Sequence, residues 1–161
     1  YRRQRQMCIR DRFEHSLVHR APEADLFQAC RALGLGMLTW SPLGGGMLTG
    51  KYRQGEKGRA EGLGGRVFQA ENSPQRTLIL DTVLAIADEL GATPGQVAIA
   101  WAGTHGSVPI IGPRSLAQAT DNLGALAISL SAEQLERLDA VSALGEATSA
   151  RAALAGGQVV A

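Results

Sequence analysis

The sequence of 161 residues lacks any apolar run of the ~18 residues that a membrane-spanning helix needs. Its two cysteines, Cys8 and Cys30, are too few for a disulfide framework, and neither belongs to a Cys-x-x-Cys pair. No apolar stretch follows the charges at the N-terminus, so a secretory signal is not indicated. These absences argue against a membrane protein or a disulfide-rich secreted domain, and we expect a cytoplasmic protein.

The sequence also lacks an excess of either charge, because 16 basic and 15 acidic residues leave a net charge of +1. Five arginines and one aspartate give residues 1–12 a charge of +4, so residues 13–161 carry −3. A nucleic-acid-binding domain needs a basic face. The acidic remainder offers none, and we expect no nucleic-acid partner.

Residues 1–12 (YRRQRQMCIRDR) have no apolar period and stop where a patterned sequence begins. A basic arm for nucleic acid or anionic lipid is one interpretation, and a disordered tail is another. The run Met7–Arg12 also resembles the translation of a transposon-end adapter used in sequencing libraries, which is the interpretation we favour. The segment is then an artefact, to be excluded from fold reasoning, and the chain is a fragment of a longer protein.

The remaining chain alternates short apolar runs with helical patterns. Apolar runs at 13–17, 36–40 and 108–111 predict strands. Between and after them, start signals at Pro22, Ser73-Pro74, Thr93-Pro94, Ser115 and Ser131 predict helices, because proline suits the first helical turn and serine or threonine caps it. We expect Leu33 on the buried side of the first helix, and Leu116, Ala119, Leu123 and Leu126 on one side of the helix after Ser115.

This alternation predicts a parallel α/β fold with three βα units. A closed eight-stranded barrel takes roughly 200 residues or more. The pattern therefore fits either a small open α/β domain or the last three-eighths of a barrel. We place the domain at residues 13–144 and expect a poorly ordered Ala/Gly-rich tail at 145–161, while residues 53–72 form a polar, glycine-rich excursion.

The segment Gly45–Lys51 (GGMLTGK) matches the G-x-x-x-x-G-K part of a phosphate-binding P-loop. A P-loop continues with Ser or Thr, which holds magnesium, and leads into a helix. Here Tyr52 follows, and the next residues are polar and glycine-rich. The pattern disfavours a nucleoside triphosphatase and leaves a tight surface loop, with glycines for positive φ, as the alternative.

Two longer segments carry a family resemblance. Trp40–Tyr52 (WSPLGGGMLTGKY) resembles the loop after strand 7 of the aldo-keto reductases, within the branch that includes potassium-channel β subunits and related bacterial reductases. Ile110–Ser115 (IIGPRS), with Gln118 and Asp121–Leu123, is similar to the strand-8 turn and the helix after it.

A third match is Glu14–Leu17 (EHSL) with Arg20 and Glu23, which looks like the strand-6 segment of the same family. The three matches follow the family order and cover about residues 13–142. The resemblance implies the carboxy-terminal portion of a (β/α)8 TIM barrel, with about three βα units plus carboxy-terminal helices.

The resemblance also implies NADPH as the cofactor. In such a barrel, phosphate groups favour the loops after strands 7 and 8 and a helix N-terminus. The family's positions carry over as follows: Trp40 beside the nicotinamide; Ser41, Pro42, Leu43, Gly44 and Gly45 around the pyrophosphate and nearby ribose; Lys51 at the phosphates; Gly112 near the adenosine-side phosphate; Arg114 on the ribose 2′-phosphate; and Gln118, Asp121 and Asn122 at adenine and its ribose.

Each of these roles has a structural alternative. Trp40 fits equally a core aromatic at a strand end, and Lys51 a solvated loop lysine. Arg114 fits a solvated residue or an ion pair, and the polar residues after it fit helix caps. His15 stands where the family often has tyrosine, so it either packs on the nicotinamide or is a buried structural histidine.

Two further departures concern strand 6 and metals. The glutamine that the resemblance places in strand 6 falls at Arg12, inside the foreign segment. His19 and His105 have no neighbours at metal-ligand spacing, and we assign no metal site.

Aldo-keto reductases transfer a hydride between NADPH and a carbonyl, with a tyrosine as proton donor assisted by lysine, histidine and aspartate. The resemblance places these four in the amino-terminal half of the barrel. The tyrosines here are Tyr1 and Tyr52, so we assign no catalytic residue and expect the chain alone to be inactive. The full-length protein would reduce an aldehyde or ketone. A non-catalytic NADPH-sensing subunit and a standalone α/β nucleotide-binding module remain alternatives.

Overall fold

A computed structural model gives the structure of the protein and describes residues 12–54 and 71–143. The predicted artefact up to residue 11, most of the glycine-rich excursion (55–70) and the tail (144–161) lie outside the described residues. In chain order the strands and α-helices are β1 (Arg12–Glu14), α1 (Leu26–Ala32), β2 (Met37–Trp40), α2 (Pro74–Leu90), α3 (Pro94–Thr104), β3 (Ser107–Ile110), α4 (Leu116–Leu123) and α5 (Ala132–Ser142). Short 3₁₀ helices span Ala21–Glu23, Gly44–Thr49, Lys51–Gln54 and Gly124–Ala127.

The three strands form one parallel sheet in the order β1-β2-β3, as the βα alternation predicts. Glu14 lies opposite Trp40, and Trp40 lies opposite Ile110. The carboxy ends of all three strands therefore meet at one edge, where the loops that follow them come together. The first strand begins at Arg12, inside the segment assigned to the artefact, because this residue pairs with Leu38.

One face of the sheet is covered by helices. Thr39 and Ser107 are buried on this face with their hydroxyls hydrogen-bonded at 3.1 Å, and Ser107 also donates to the Ala102 carbonyl of α3. The opposite face carries Trp40 and Val108, whose exposed fractions are 43% and 64%. Parallel sheets are normally buried on both faces. The described residues therefore form part of a larger layered architecture, with one sheet face open.

The main core lies where α2, α3 and α5 pack together over the loop after β2. Its fully buried side chains include Leu48, Val83, Val97, Trp101 and Leu138. The predicted starts of α2, α3 and α5 are confirmed. The hydroxyls of Ser73, Thr93 and Ser131 each accept a backbone N–H three residues on, and the last two complete capping boxes with glutamine.

The first and fourth helices differ from their predictions. Pro22 opens a 3₁₀ turn, and α1 begins only at Leu26, because the Asp25 carboxylate accepts that residue's N–H. The helix ends at Ala32, so Leu33 is exposed rather than buried.

The apolar side predicted for α4 is mostly exposed, as the fractions at Leu116 (84%), Leu123 (55%) and Leu126 (86%) show. Asn122 and Ala125 are buried instead. The reason is that this segment approaches α3 through Gly124, where a Cβ would lie 2.3 Å from the Gln96 amide nitrogen. Its glycine allows the close approach and fixes which side faces inward.

Candidate functional site

A cavity of about 510 Å³ lies at the carboxy ends of β2 and β3. The loop after β2 forms one wall, and the turn after β3 with the start of α4 forms the other. The structure brings eleven of the twelve predicted cofactor-binding residues to its lining: Trp40, Ser41, Pro42, Leu43, Gly45, Lys51, Gly112, Arg114, Gln118, Asp121 and Asn122. The lining also includes residues to which sequence reasoning gave no role: Gly46, Thr49, Tyr52, Ile110, Ile111 and Pro113.

Gly44 is the predicted residue that the cavity lining does not include. It is buried with φ at 54°, and a Cβ there would lie 2.8 Å from Val18 Cγ2. Gly44 thus packs against the segment after β1 instead of facing the cavity. Its glycine is needed for close packing and for a backbone conformation that side chains disfavour.

The loop after β2 is a tight turn in left-handed backbone conformations. Ser41 has φ 61°, which is unusual for a residue other than glycine, and Gly45 and Gly46 have φ 68° and 97°. The Ser41 hydroxyl accepts the N–H of Gly45 at 3.2 Å, which compensates part of the strain. We call residues 41–46 the glycine turn. Its backbone lies directly on the cavity, with little side-chain bulk in the way.

Lys51 and Tyr52 close the cavity over the glycine turn. The Tyr52 hydroxyl donates to the Gly45 carbonyl at 3.2 Å, and the Lys51 ammonium lies 5.2 Å from the centre of the Tyr52 ring. Residues Lys51–Gln54 form a 3₁₀ helix, not the α-helix that a P-loop requires. Within residues 12–54 and 71–143, no carboxylate lies within 4 Å of the Lys51 ammonium.

On the other wall, the turn after β3 presents Arg114. Its backbone N–H donates to the Gln118 side-chain oxygen at 2.8 Å, and the Ser115 hydroxyl accepts the Gln118 N–H. Gln118 therefore uses its side-chain oxygen as a cap, the structural alternative for this residue. The Arg114 side chain is exposed, and among the described residues its guanidinium makes no ion pair.

The last two predicted residues differ in their surroundings. Asp121 accepts hydrogen bonds from the Thr93 hydroxyl and the Gln96 amide, both at 3.1 Å, so its carboxylate ties α4 to the start of α3. Asn122 is 8% exposed and lines the cavity. Its side-chain amide makes no hydrogen bond within the part of the chain that the structure describes, which leaves it available to a ligand.

Trp40 is 43% exposed at the end of β2, on the open face of the sheet. The core-aromatic alternative is therefore wrong for the described residues, and the ring offers a flat apolar surface to the cavity. The aromatic of the buried core is Trp101.

A buried polar network supports the site from below, and sequence reasoning missed most of it. His15 follows β1 and is fully buried, with Nε2 2.7 Å from a Glu23 oxygen and its ring stacked on Trp101. This contradicts packing of His15 on a ligand and supports its structural alternative. Its backbone N–H donates to the Trp40 carbonyl at 3.2 Å, which ties the network to the cavity wall.

Arg20 is the centre of this network. Two of its nitrogens donate to the two Glu23 oxygens at 2.7 and 2.8 Å, and a third donates to Asp139 of α5 at 2.9 Å. Burial alone would raise the pKa of Glu23, but hydrogen bonds from His15 and Arg20 and the Arg20 charge outweigh it and lower that pKa to about 2. Burial lowers the pKa of His105, which packs on Trp101.

Two searches of the described residues, 12–54 and 71–143, gave negative results. They hold no group of three or more His, Cys, Asp or Glu side chains placed to bind a metal ion. Their helices are all too short or too polar to cross a membrane.

Comparisons with known proteins agree with the geometry. A sequence model of the Aldo/keto reductase family matches residues 11–143. The uncharacterized oxidoreductase YrpG of Bacillus subtilis (strain 168) is 35% identical over 133 residues, which are 81% of this chain and 39% of that protein. Probable aldo-keto reductase 1 of Glycine max is 33% identical over 141 residues, which are 86% of this chain and 41% of that protein.

A solved structure shows the same fold. The thermostable aldo-keto reductase Tm1743, crystallised in complex with the inhibitor epalrestat, superposes with a TM-score of 0.57 at 23% identity. The match covers 81% of this chain and 38% of that one. The three-stranded sheet is therefore part of a TIM barrel, as the resemblance implies, and not a small open α/β domain. The chain spans about two-fifths of the length of the curated relatives it matches.

Proposed function

The chain belongs to the aldo/keto reductase family, and from this premise we propose that it is the NADPH-binding, carboxy-terminal part of a reductase for aldehydes or ketones. One observation carries the proposal. The cavity at the ends of two neighbouring strands holds two cationic side chains, Lys51 and Arg114, with no carboxylate partner in residues 12–54 and 71–143. Unpaired cations facing a cavity favour an anionic ligand.

The residues around the cavity fit a phosphorylated dinucleotide. A guanidinium suits the geometry of a phosphate, which favours Arg114 for the 2′-phosphate that distinguishes NADPH from NADH. The N–H groups at the start of α4 add to the attraction for anions. The unpaired amide of Asn122 can both donate and accept, as a base or ribose requires.

When bound, NADPH would supply the hydride that reduces a carbonyl carbon. The residues of this chain bind and orient it in our proposal: Lys51 and Arg114 hold phosphates, and Trp40 covers the nicotinamide and excludes water. Tyr52 is not assigned as the proton donor, because its hydroxyl is hydrogen-bonded to the Gly45 carbonyl. We expect the full-length protein to provide that donor and the chain alone to reduce no carbonyl compound.

Replacing Arg114 with leucine is expected to weaken NADPH binding by roughly 10- to 100-fold, because a charge-assisted contact to the 2′-phosphate is lost. NADH lacks that phosphate, so its affinity should change by less than about 3-fold. Fluorescence titration of the purified chain with each cofactor measures both effects.

The matched control for this test is Arg137→Leu, because Arg137 pairs with Glu89 on the surface and does not line the cavity. It should leave both affinities unchanged. Equal losses for the two cofactors in Arg114→Leu would contradict the 2′-phosphate assignment. Failure of the unsubstituted chain to bind NADPH would contradict the proposed function itself.

A further inference from the structure

Tyr52 lies at the cavity but takes no part in the cofactor assignment made from the sequence. Its hydroxyl donates to the carbonyl of Gly45, a residue whose N–H is held by the Ser41 hydroxyl. The peptide groups on both sides of Gly45 are thus fixed by side-chain hydrogen bonds. Since Gly45 has φ 68°, in a region where glycine has wide conformational freedom, these bonds restrict an otherwise mobile turn.

The Tyr52 ring also determines where the Lys51 ammonium lies. The ammonium is 5.2 Å from the ring centre, within the distance at which a cation is attracted by an aromatic face. From the other side, the lysine end lies close to Gly46: a Cβ built there would lie 3.4 Å from Lys51 Cε and 3.2 Å from the Tyr52 hydroxyl. Lys51 is therefore confined between the Tyr52 ring and the glycine turn.

A flexible lysine loses considerable side-chain entropy when it binds a ligand. Here an aromatic ring confines it in advance, with no carboxylate from residues 12–54 or 71–143 neutralising its charge. Preorganisation of this kind raises affinity by reducing the cost of ordering. An ion pair would have confined the ammonium equally well but would have competed with an anionic ligand.

We propose that Tyr52 is a positioning residue, which holds the glycine turn with its hydroxyl and the Lys51 ammonium with its ring, and so raises the affinity of the cavity for phosphate groups. This inference rests on the proposed function, because the phosphates are those of NADPH. It adds a residue that acts through Lys51 and is separate from the groups assigned to touch the cofactor.

Two substitutions separate the contributions of the hydroxyl and the ring. Tyr52→Phe keeps the ring beside Lys51 and should weaken NADPH binding by about 3-fold, the effect of one neutral hydrogen bond. Tyr52→Leu removes both contacts and should weaken it by roughly 10-fold. Partial retention by phenylalanine is expected only if the aromatic face itself contributes. Both affinities are measured by NADPH fluorescence titration at low salt.

A double-mutant cycle with Lys51→Met tests whether Tyr52 acts through the lysine. In the Lys51→Met background, Tyr52→Leu should change the NADPH affinity by less than about 3-fold, because only the hydrogen bond to Gly45 is lost. A roughly 10-fold loss in both backgrounds would overturn the inference, and so would a Tyr52→Leu variant that binds normally. Arg53→Met is the matched control, since Arg53 pairs with Glu71 and Asp81 and does not line the cavity.

A second measurement needs no ligand. In the ligand-free protein, the Tyr52 ring should shift the NMR signals of the Lys51 ε-methylene upfield, and Tyr52→Leu should abolish this shift while Tyr52→Phe retains it. Absence of the shift would overturn the positioning role. If the shift is present but the unsubstituted chain binds no NADPH, the proposed function fails and the phosphate role fails with it. A chain that binds NADPH without dependence on Tyr52 overturns this inference alone.

Discussion

Replacing Arg20 with methionine is expected to lower the free energy of unfolding by about 3–5 kcal/mol, the usual cost of removing one partner from a buried ion pair. Arg20 is only 12% exposed and makes five hydrogen bonds, to Glu23, Asp139 and Ser142. Its guanidinium also lies 5.1 Å from the centre of the Trp101 ring. Methionine keeps much of the length of the side chain but leaves the Glu23 carboxylate half-buried without its main cation.

Urea denaturation followed by circular dichroism measures this loss. The matched control is Arg137→Met, which breaks the surface pair with Glu89 and should cost less than about 1 kcal/mol. Equal losses in the two variants would show that burial does not strengthen the Arg20 contacts. A loss below about 1 kcal/mol for Arg20→Met would contradict the central position given to Arg20.

The Arg20 network and the cavity are mechanically connected. His15 links Glu23 to the end of β2, because its backbone N–H donates to the Trp40 carbonyl while its ring nitrogen contacts the Glu23 carboxylate. In the same segment, Val18 fills the space beside Gly44 at the start of the glycine turn. The segment after β1 thus supports the cavity wall from the side opposite the ligand. Loss of Arg20 is therefore expected to affect NADPH binding as well as stability.

Features encoded by short stretches of sequence were predictable. The starts of α2, α3 and α5 depend on a serine or threonine and the residue three positions on, so neighbouring residues determine them. The candidate site was accessible for a related reason. Its two walls follow β2 and β3 directly, and parallel strands bring such loops to one edge of the sheet.

Features that depend on distant residues were not predictable in this way. Arg20 and Asp139 meet across 119 positions, and no local pattern indicates that the acceptor for Arg20 lies on α5. The burial of α4 was predicted from apolar spacing alone, but Gln96 on α3 decides which side faces inward. Gly44 looked equivalent to Gly45, yet Val18 occupies the space beside it. In each case packing against another element determines the outcome.

Glu23 makes the stability of the chain sensitive to acid. Its folded pKa of about 2 lies below the usual value of 4.5, so the unfolded chain takes up the proton first as the pH falls. The contribution of Glu23 is fully present above pH 4.5 and is lost progressively towards pH 2. The size of this shift corresponds to about 3 kcal/mol. His105 adds a loss that begins below pH 6.5, because burial lowers its folded pKa and the unfolded chain is protonated first.

Urea unfolding at a series of pH values from 7 to 3 measures these contributions. The unsubstituted chain should lose stability steeply below pH 4.5, and Glu23→Gln should flatten that part of the profile because its amide does not titrate. Arg20, His15 and His105 face Glu23 and remain in the variant, so the loss that begins at pH 6.5 should persist. Glu136→Gln, at an exposed position of α5, should leave the steep part intact. Equal slopes below pH 4.5 in the Glu23→Gln variant and the unsubstituted chain would show that the acid sensitivity arises from other carboxylates.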